Sequence, residues 1–331
     1  MILPMNRSIY LASLALVVST PALVAQNPVY TSVEEARAAG LDYDMQGEYA
    51  VGTPGSGAAI GVQIVALGDL SFRWVEYAGG LPGAGATGKP VRSVEAKAAA
   101  GRVVFERGDA GKAILLKEGV MIETKEGKKV QLAKVERKSP TLGKKPPQGA
   151  VVLFDGTNTD AWNNGQMTPD GLLMQGPTSK QAFGDHTIHL EFRTPFKPFA
   201  RGQDRGNSGL YMQGRYETQV LDSFGLEGKM DETGGVYSIA APAINMCLPP
   251  LSWQTYDVEF TAARFDAEGK KTANARMTVL LNGVKVHDNL DLTHSTTASP
   301  LKEGPELGPV FLQDHGNPVR YRNVWVVPAK P

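Results

Sequence analysis

The chain has 331 residues, room for about two domains, and carries 34 basic against 34 acidic residues. That balance supplies no electrostatic drive toward nucleic acid or an anionic membrane surface. Cys247 is its one cysteine, which excludes an intramolecular disulfide or a thiolate metal cluster and leaves core burial to stabilise the fold.

The N-terminus reads as an address. Arg7 precedes an apolar run from Ile9 to Val18, and small residues follow up to Ala25, the pattern of a secretory signal peptide over 1–25. The run is shorter than the ~20 residues of a spanning helix, and no later segment reaches that length. The expectation is an exported protein (periplasmic, cell-envelope or extracellular) with no integral membrane segment after cleavage. Residues 30–138 form a second zone, a small β-rich domain of unknown role. It opens on a short helical candidate, Val33–Ala39, stopped by Gly40. Strand-like runs follow at 59–66, 72–77, 102–105, 113–116 and 130–135, each bounded by Gly, Pro or Asp. Residues 139–149 hold three prolines and two glycines; this composition continues neither a helix nor a central strand and reads as a linker.

From 150 to 331 strands alternate with turns and no βαβ rhythm appears, which predicts a sandwich or barrel. In His186–Arg193, Ile188, Leu190 and Phe192 face one way while His189, Glu191 and Arg193 face the other. Residues 209–213 and 216–222 alternate too, and Asn282-Gly283 between two alternating runs signals a hairpin. Closing strands are expected at 309–315 and 319–327. Cys247 lies among Ile244, Met246 and Leu248 and should be a buried small hydrophobe.

The polar faces carry the chemistry. Glu191 and Arg193 share one strand face; Asn207, Tyr211 and Gln213 share the next; Glu217 and Gln219 a third; Gln313 and His315 a fourth. Solvent-facing strands usually offer Thr, Lys and Glu. Amides, aromatics, His and Arg gathered on four strands suggest a concave site for a polyhydroxyl ligand. The loop Arg205-Gly206-Asn207-Ser208-Gly209 would let backbone approach that ligand closely. Arg320 and Arg322 share a face of the last strand, as substrate contacts or as supports for carboxylates.

The runs Arg205–Ser223, Trp253–Asp257 and Leu312–Trp325, with the opening Leu153-Phe154-Asp155-Gly156 and Trp162, resemble the 3-keto-disaccharide hydrolase domain family over about residues 151–328. The resemblance implies a concanavalin A-like jelly roll with ligand on its concave sheet, preceded here by a region the family does not cover. It also implies a substrate already oxidised to a ketone at C3. Such a ketone acidifies the hydrogen on C2, so a base can remove it, the oxygen on C1 can leave by elimination, and water can add to the enone. This differs from two-carboxylate hydrolysis and requires a base, an acid and an enolate stabiliser. Glu217 or His315 is the expected base and Glu191 the complementary acid. Arg193 is the leading enolate stabiliser. Arg193, Asn207, Tyr211, Gln213, Gln219, Gln313, Arg320 and Arg322 are the candidate substrate contacts. A divalent metal, held by Asp222, Glu217 and His315, is an alternative source of positive charge. The rival classes are a lectin-like binding module and an envelope structural protein.

Overall fold

The computed structural model describes residues 27–329; the leader expected over 1–25 lies outside the described residues. Helix α1 (Val33–Ala38) begins with a capping box in which the Ser32 hydroxyl accepts from the Glu35 N–H and the Glu35 side chain returns to the Ser32 backbone. A second turn, α2 (Leu41–Met45), follows. Eight strands come next: β1 (Gly47–Val51), β2 (Ile60–Gly68), β3 (Ser71–Ala78), β4 (Arg92–Lys97), β5 (Val103–Glu106), β6 (Lys112–Leu116), β7 (Gly119–Glu123) and β8 (Lys129–Val135). They form one antiparallel sheet in the order β4-β3-β2-β1-β8-β7-β6-β5, with Val62, Ile64, Trp74, Phe105 and Leu115 in its core. The helix and the runs at β2, β3, β5, β6 and β8 match the periodicity expectations. The sequence reading passed over β1, β4 and β7, of which β4, Arg-Ser-Val-Glu-Ala-Lys, is half exposed along its length.

The remainder is a jelly-roll β-sandwich. Its strands are β9 (Val151–Phe154), β10 (Trp162–Asn163), β11 (Leu173–Met174), β12 (Thr178–Phe183), β13 (His186–Arg193), β14 (Ser208–Met212), β15 (Tyr216–Val220), β16 (Gln254–Thr261), the small hairpin β17 (Arg264–Phe265) and β18 (Lys271–Ala273), then β19 (Ala275–Leu281), β20 (Val284–Leu292), β21 (Gly308–Leu312) and β22 (Arg320–Pro328). One sheet has five strands, β10-β12-β21-β14-β15. The other has seven, β11-β22-β13-β16-β19-β20 with β9 also on β22. Alternation sends Leu210, Met212, Val220 and Leu312 from the first sheet against Ile188, Leu190, Tyr256 and Val258 from the second. Asn282 and Gly283, both with positive φ, make the tight β19–β20 turn. Cys247 is buried where Val65, Leu67 and Tyr77 of the N-terminal sheet meet Phe224, and burial pushes its thiol up to about 12.

Each sheet therefore has an outer face, and the two fare differently. The outer face of the seven-stranded sheet is covered by residues 139–144. Ser139 Oγ lies 2.6 Å from Thr255 Oγ1, and the Thr141 hydroxyl donates to Asp257 Oδ2 at 2.7 Å. The Gly143 N–H donates to Glu191 Oε1 at 2.6 Å, and Lys144 Nζ reaches Asp257 Oδ1 at 2.9 Å. Arg322 Nε and Asn323 Nδ2 complete the shell of Glu191, at 2.6 and 3.0 Å, and His189 Nδ1 lies 2.9 Å from Asp257 Oδ1. Burial disfavours the charge on both carboxylates. The bonds from His189, Asn323, Gly143 and Arg322 outweigh it at Glu191, and those from His189, Thr141 and Lys144 at Asp257, so each carboxyl falls to about 2. His189 moves the other way: burial opposes its charge, but Asp257 and Glu191 raise it.

This clamp makes a prediction about stability. A depressed carboxylate stabilises the folded state fully above its unfolded pKa and loses that contribution as pH falls through the folded value. Denaturant unfolding should therefore show stability declining from about pH 4 toward pH 2. His189 adds stability below its unfolded pKa, which is lost as pH rises through its raised folded value. Asp257→Asn should cost roughly 3 kcal/mol at pH 7 and flatten the acid limb; an unchanged acid limb would remove the clamp from the stability account.

Candidate active site

The outer face of the five-stranded sheet is open. Strands β14 and β15 pair so that Tyr211 stands opposite Glu217 and Gly209 opposite Gln219. Phe311 of β21 pairs with Tyr211, and Gln313, two residues on, projects to the same side. Loops raise walls around this patch and leave a hollow of about 140 Å³, lined by Gln203, Asn207, Tyr211, Glu217, Gln219, Tyr237, Thr297, Ala298, Gln313 and His315. Its size suits one sugar ring with the rest of a glycoside outside.

Glu217 is the group around which the hollow is built. Its residue is 3% exposed, and its carboxylate lies across Gly209, where a Cβ would stand 2.1 Å from Oε1. No side chain other than glycine leaves that space. The Glu217 N–H is anchored on Thr296 Oγ1 at 3.0 Å. Burial pushes the carboxyl up to about 7, and the Tyr211 hydroxyl offsets this only in part. Burial and the neighbouring Glu217 charge in turn raise Tyr211, which stays a protonated donor. A carboxyl poised near neutrality in a cleft has the properties of a general base.

Amides furnish the rest. Gln203 Oε1 accepts from Asn207 Nδ2 at 2.8 Å and from Gln219 Nε2 at 3.2 Å, while Gln203 Nε2 donates to the Asp231 carbonyl at 2.8 Å. Gln313 Nε2 donates to Tyr211 Oη at 3.3 Å. Two buried acceptors here have no protein partner among the described residues, Asn207 Oδ1 and Gln313 Oε1. Unsatisfied buried oxygens are costly, and the hydroxyls of a sugar are the donors they lack.

Of the residues expected to converge, Asn207, Tyr211, Glu217, Gln219, Gln313 and His315 line this one hollow. The others do not. Glu191 belongs to the clamp on the opposite sheet, where both its oxygens are bonded and its depressed pKa denies it a proton to give. Arg193 lies on that sheet too: it donates to the Thr31 carbonyl at 2.9 Å and its guanidinium sits 5.0 Å from the centre of the Trp253 ring. Arg322 binds Glu191 and covers the same ring at 4.0 Å, and Arg320 donates to Gln175 Oε1 at 2.8 Å. Gln213 falls in the turn after β14 with φ +55 and donates to the Phe183 carbonyl at 2.9 Å.

The metal alternative does not assemble either. Asp222 is ion-paired with Arg205 at 2.7 Å, and among the described residues no group of three or more His, Cys, Asp or Glu is arranged to hold a metal ion. Gln203, Tyr237, Thr297 and Ala298 were not anticipated. Gln203 comes from a single 3-10 turn, Gly202–Asp204, and the other three from loops, where strand alternation says nothing; the glycines at 234 and 235 before Tyr237 are the one visible hint.

Residues 149–327 match the profile of the 3-keto-alpha-glucoside-1,2-lyase-like domain. A crystal structure of a candidate glycosyl hydrolase from Parabacteroides distasonis ATCC 8503 is 31% identical, with TM-score 0.51, covering 56% of this chain and 86% of that one. A second candidate glycosyl hydrolase from the same organism is 19% identical with TM-score 0.42, over 55% of this chain and 95% of its own. A search of curated proteins gave no match. No helix among the described residues is long and apolar enough to cross a membrane.

The buried carboxyl has a thermodynamic signature. An acid whose folded pKa lies above its unfolded one binds extra protons when folded, so stability falls as pH rises between the two values and stays low above the higher one. Glu217→Gln removes this burden. Chemical denaturation at pH 8 should show the variant more stable than the parent protein by up to about 3 kcal/mol, with the gap closing by pH 4; equal stabilities at pH 8 would mean that Glu217 ionises as an ordinary carboxylate.

Proposed function

The chain belongs to the 3-keto-alpha-glucoside-1,2-lyase-like domain family, and from that membership and the make-up of the hollow we propose that it cleaves 3-keto-glycosides, including 3-keto-disaccharides, by elimination and hydration. Membership in the family and likeness to glycosyl hydrolases make it a glycosidase-like, carbohydrate-active protein. The observation that favours elimination is that, among the described residues, Glu217 is the one carboxylate lining the hollow. Hydrolysis through an oxocarbenium ion needs a second carboxyl roughly 5–9 Å away. Elimination from a ketosugar needs one base.

In this reading the Glu217 carboxylate removes the C2 hydrogen, and the electrons of that C–H bond move toward C3 to give an enolate. The Tyr211 hydroxyl, protonated and bonded by Gln313, donates to the developing oxyanion, the kind of prearranged donor that contributes most when charge appears. Expulsion of the C1 oxygen follows, with His315 at the mouth of the hollow as its proton donor. Water then adds to C1, giving up its proton to His315, and Glu217, having exchanged its proton with solvent through the open hollow, returns one to C2. Asn207 and Gln313 accept from ring hydroxyls, and Gln203 and Gln219 hold Asn207 in place. The leader expected at 1–25 would put this activity outside the cytoplasm.

The test compares a 3-keto-disaccharide with its unoxidised parent. Turnover should be confined to the keto compound, and in D₂O the released ketosugar should carry deuterium at C2. Activity should rise with pH through about 7, as Glu217 ionises. Glu217→Gln should lose on the order of 10²–10⁴-fold in kcat/KM. Cleavage of the parent sugar at a similar rate, or release without deuterium at C2, contradicts the proposal, and binding without turnover would make the protein a lectin-like module.

A further inference from the structure

Asn207 and Gln203 do not sit on the sandwich sheets. They hang from the segment 197–207, and what holds that segment comes partly from outside the sandwich. Arg205 Nε donates to Asp222 Oδ2 at 2.7 Å, and the Arg205 carbonyl accepts from the Asp222 N–H at 2.9 Å. Asp222 lies two residues beyond the end of β15, the strand that carries Glu217 and Gln219. Arg205 Nη1 reaches across to the Ala66 carbonyl of β2 at 3.3 Å. Arg201 Nη2 donates to the next carbonyl, Leu67, at 3.0 Å, and the Phe199 ring packs on Gly68 of the same strand. On the other side, Lys197 Nζ and the Gly206 N–H both bind Asn317 Oδ1, at 2.8 and 3.2 Å, two residues beyond His315.

Stability alone does not account for this junction. Burying an ion pair seldom repays the desolvation of its charges, and Arg205 Nη2 is buried with no protein partner among the described residues. A guanidinium nevertheless does what an apolar side chain of that size cannot: its fork bonds two segments at once in fixed directions. We infer that the N-terminal β-sheet is part of the catalytic unit, and that Arg205 is a positioning residue through which β2 holds Gln203 and Asn207 in register with Glu217. The inference rests on the proposed function for its kinetic consequence but not for its geometry.

Binding and chemistry separate here, because Asn207, steadied by Gln203, contacts the ring while Glu217 acts on C2. In the full-length protein, Arg205→Lys keeps a charge for Asp222 but cannot fork to Ala66. It should raise KM for the 3-keto-disaccharide about tenfold, leave kcat within about twofold, and leave the midpoint of the pH profile unmoved. Gly68→Ala, far from the hollow on β2, would place a methyl 2.5 Å from the Phe199 ring and should shift KM in the same sense. Amide hydrogen exchange over 201–207 should speed up in both variants, a readout that needs no substrate. A merely structural role would lower the active fraction, reducing kcat at constant KM, and that result overturns the inference. Unchanged exchange over 201–207 overturns it too, even if the parent protein proves inactive on every ketosugar, an outcome that would remove the proposed function on separate grounds. Should Arg205→Lys fail to fold, Gly68→Ala carries the same test.

Discussion

A carboxyl group buried without a cation beside it is the constraint on which the rest of this structure turns. Four other buried acids here have an arginine, Glu48 with Arg137, Glu76 with Arg107, Glu191 with Arg322 and Asp222 with Arg205; Asp257 has Lys144 and His189, and Glu232 accepts from the backbone N–H groups of Gly228 and Lys229. Glu217 is as buried as they are, yet it has Gly209 beneath it and the Tyr211 hydroxyl beside it. Desolvation then has little to oppose it, and the carboxyl rises toward neutrality. Keeping that environment demands a glycine on the neighbouring strand, a hydroxyl directly opposite in the ladder and walls that exclude cations. The run 205–223, inside the span that matches the family, supplies the first two.

The sandwich has two polar outer faces, and the contrast between them explains which residues can act. On the seven-stranded sheet, Glu191, His189 and Asp257 look like an acid–base cluster, but each is saturated by its neighbours and by the segment 139–144. Their shifts express mutual satisfaction, which fixes a conformation. On the five-stranded sheet, acceptors are left over and one carboxyl is left uncompensated. Perturbed pKa values occur on both faces; unsatisfied groups facing an open hollow occur on only one of them.

Strand alternation was the part of this legible beforehand. It identified β13, β14, β15, the β19–β20 hairpin and β22, and placed Tyr211, Glu217 and Gln219 on the polar side of their strands. What alternation cannot say is which sheet a strand joins. β13 and β14 are neighbours in the chain and alternate alike, yet they enter opposite sheets, and so Glu191 and Arg193 point away from Glu217. Gln213 failed for a local reason: β14 ends at Met212, and one residue in the left-handed region breaks the parity. The composition of 139–149 reads as a linker, because prolines and glycines describe what a backbone will not do; the hydrogen bonds made by Thr141, Gly143 and Lys144 depend on a surface brought alongside by the fold and leave no mark in composition. Gln203, on a single 3-10 turn, and Tyr237, on a loop, had no period to betray them.

Burial holds the Glu217 carboxyl near neutrality, and its titration can be followed in solution. A carbon-13 NMR titration of the protein labelled at the glutamate side-chain carboxyl, with the Glu217 signal assigned by its loss in Glu217→Gln, should give a midpoint of about 7. A midpoint in the ordinary glutamate range, near 4.3, would contradict the account, since Glu217 would then be one more solvated carboxylate with no special claim on the C2 proton.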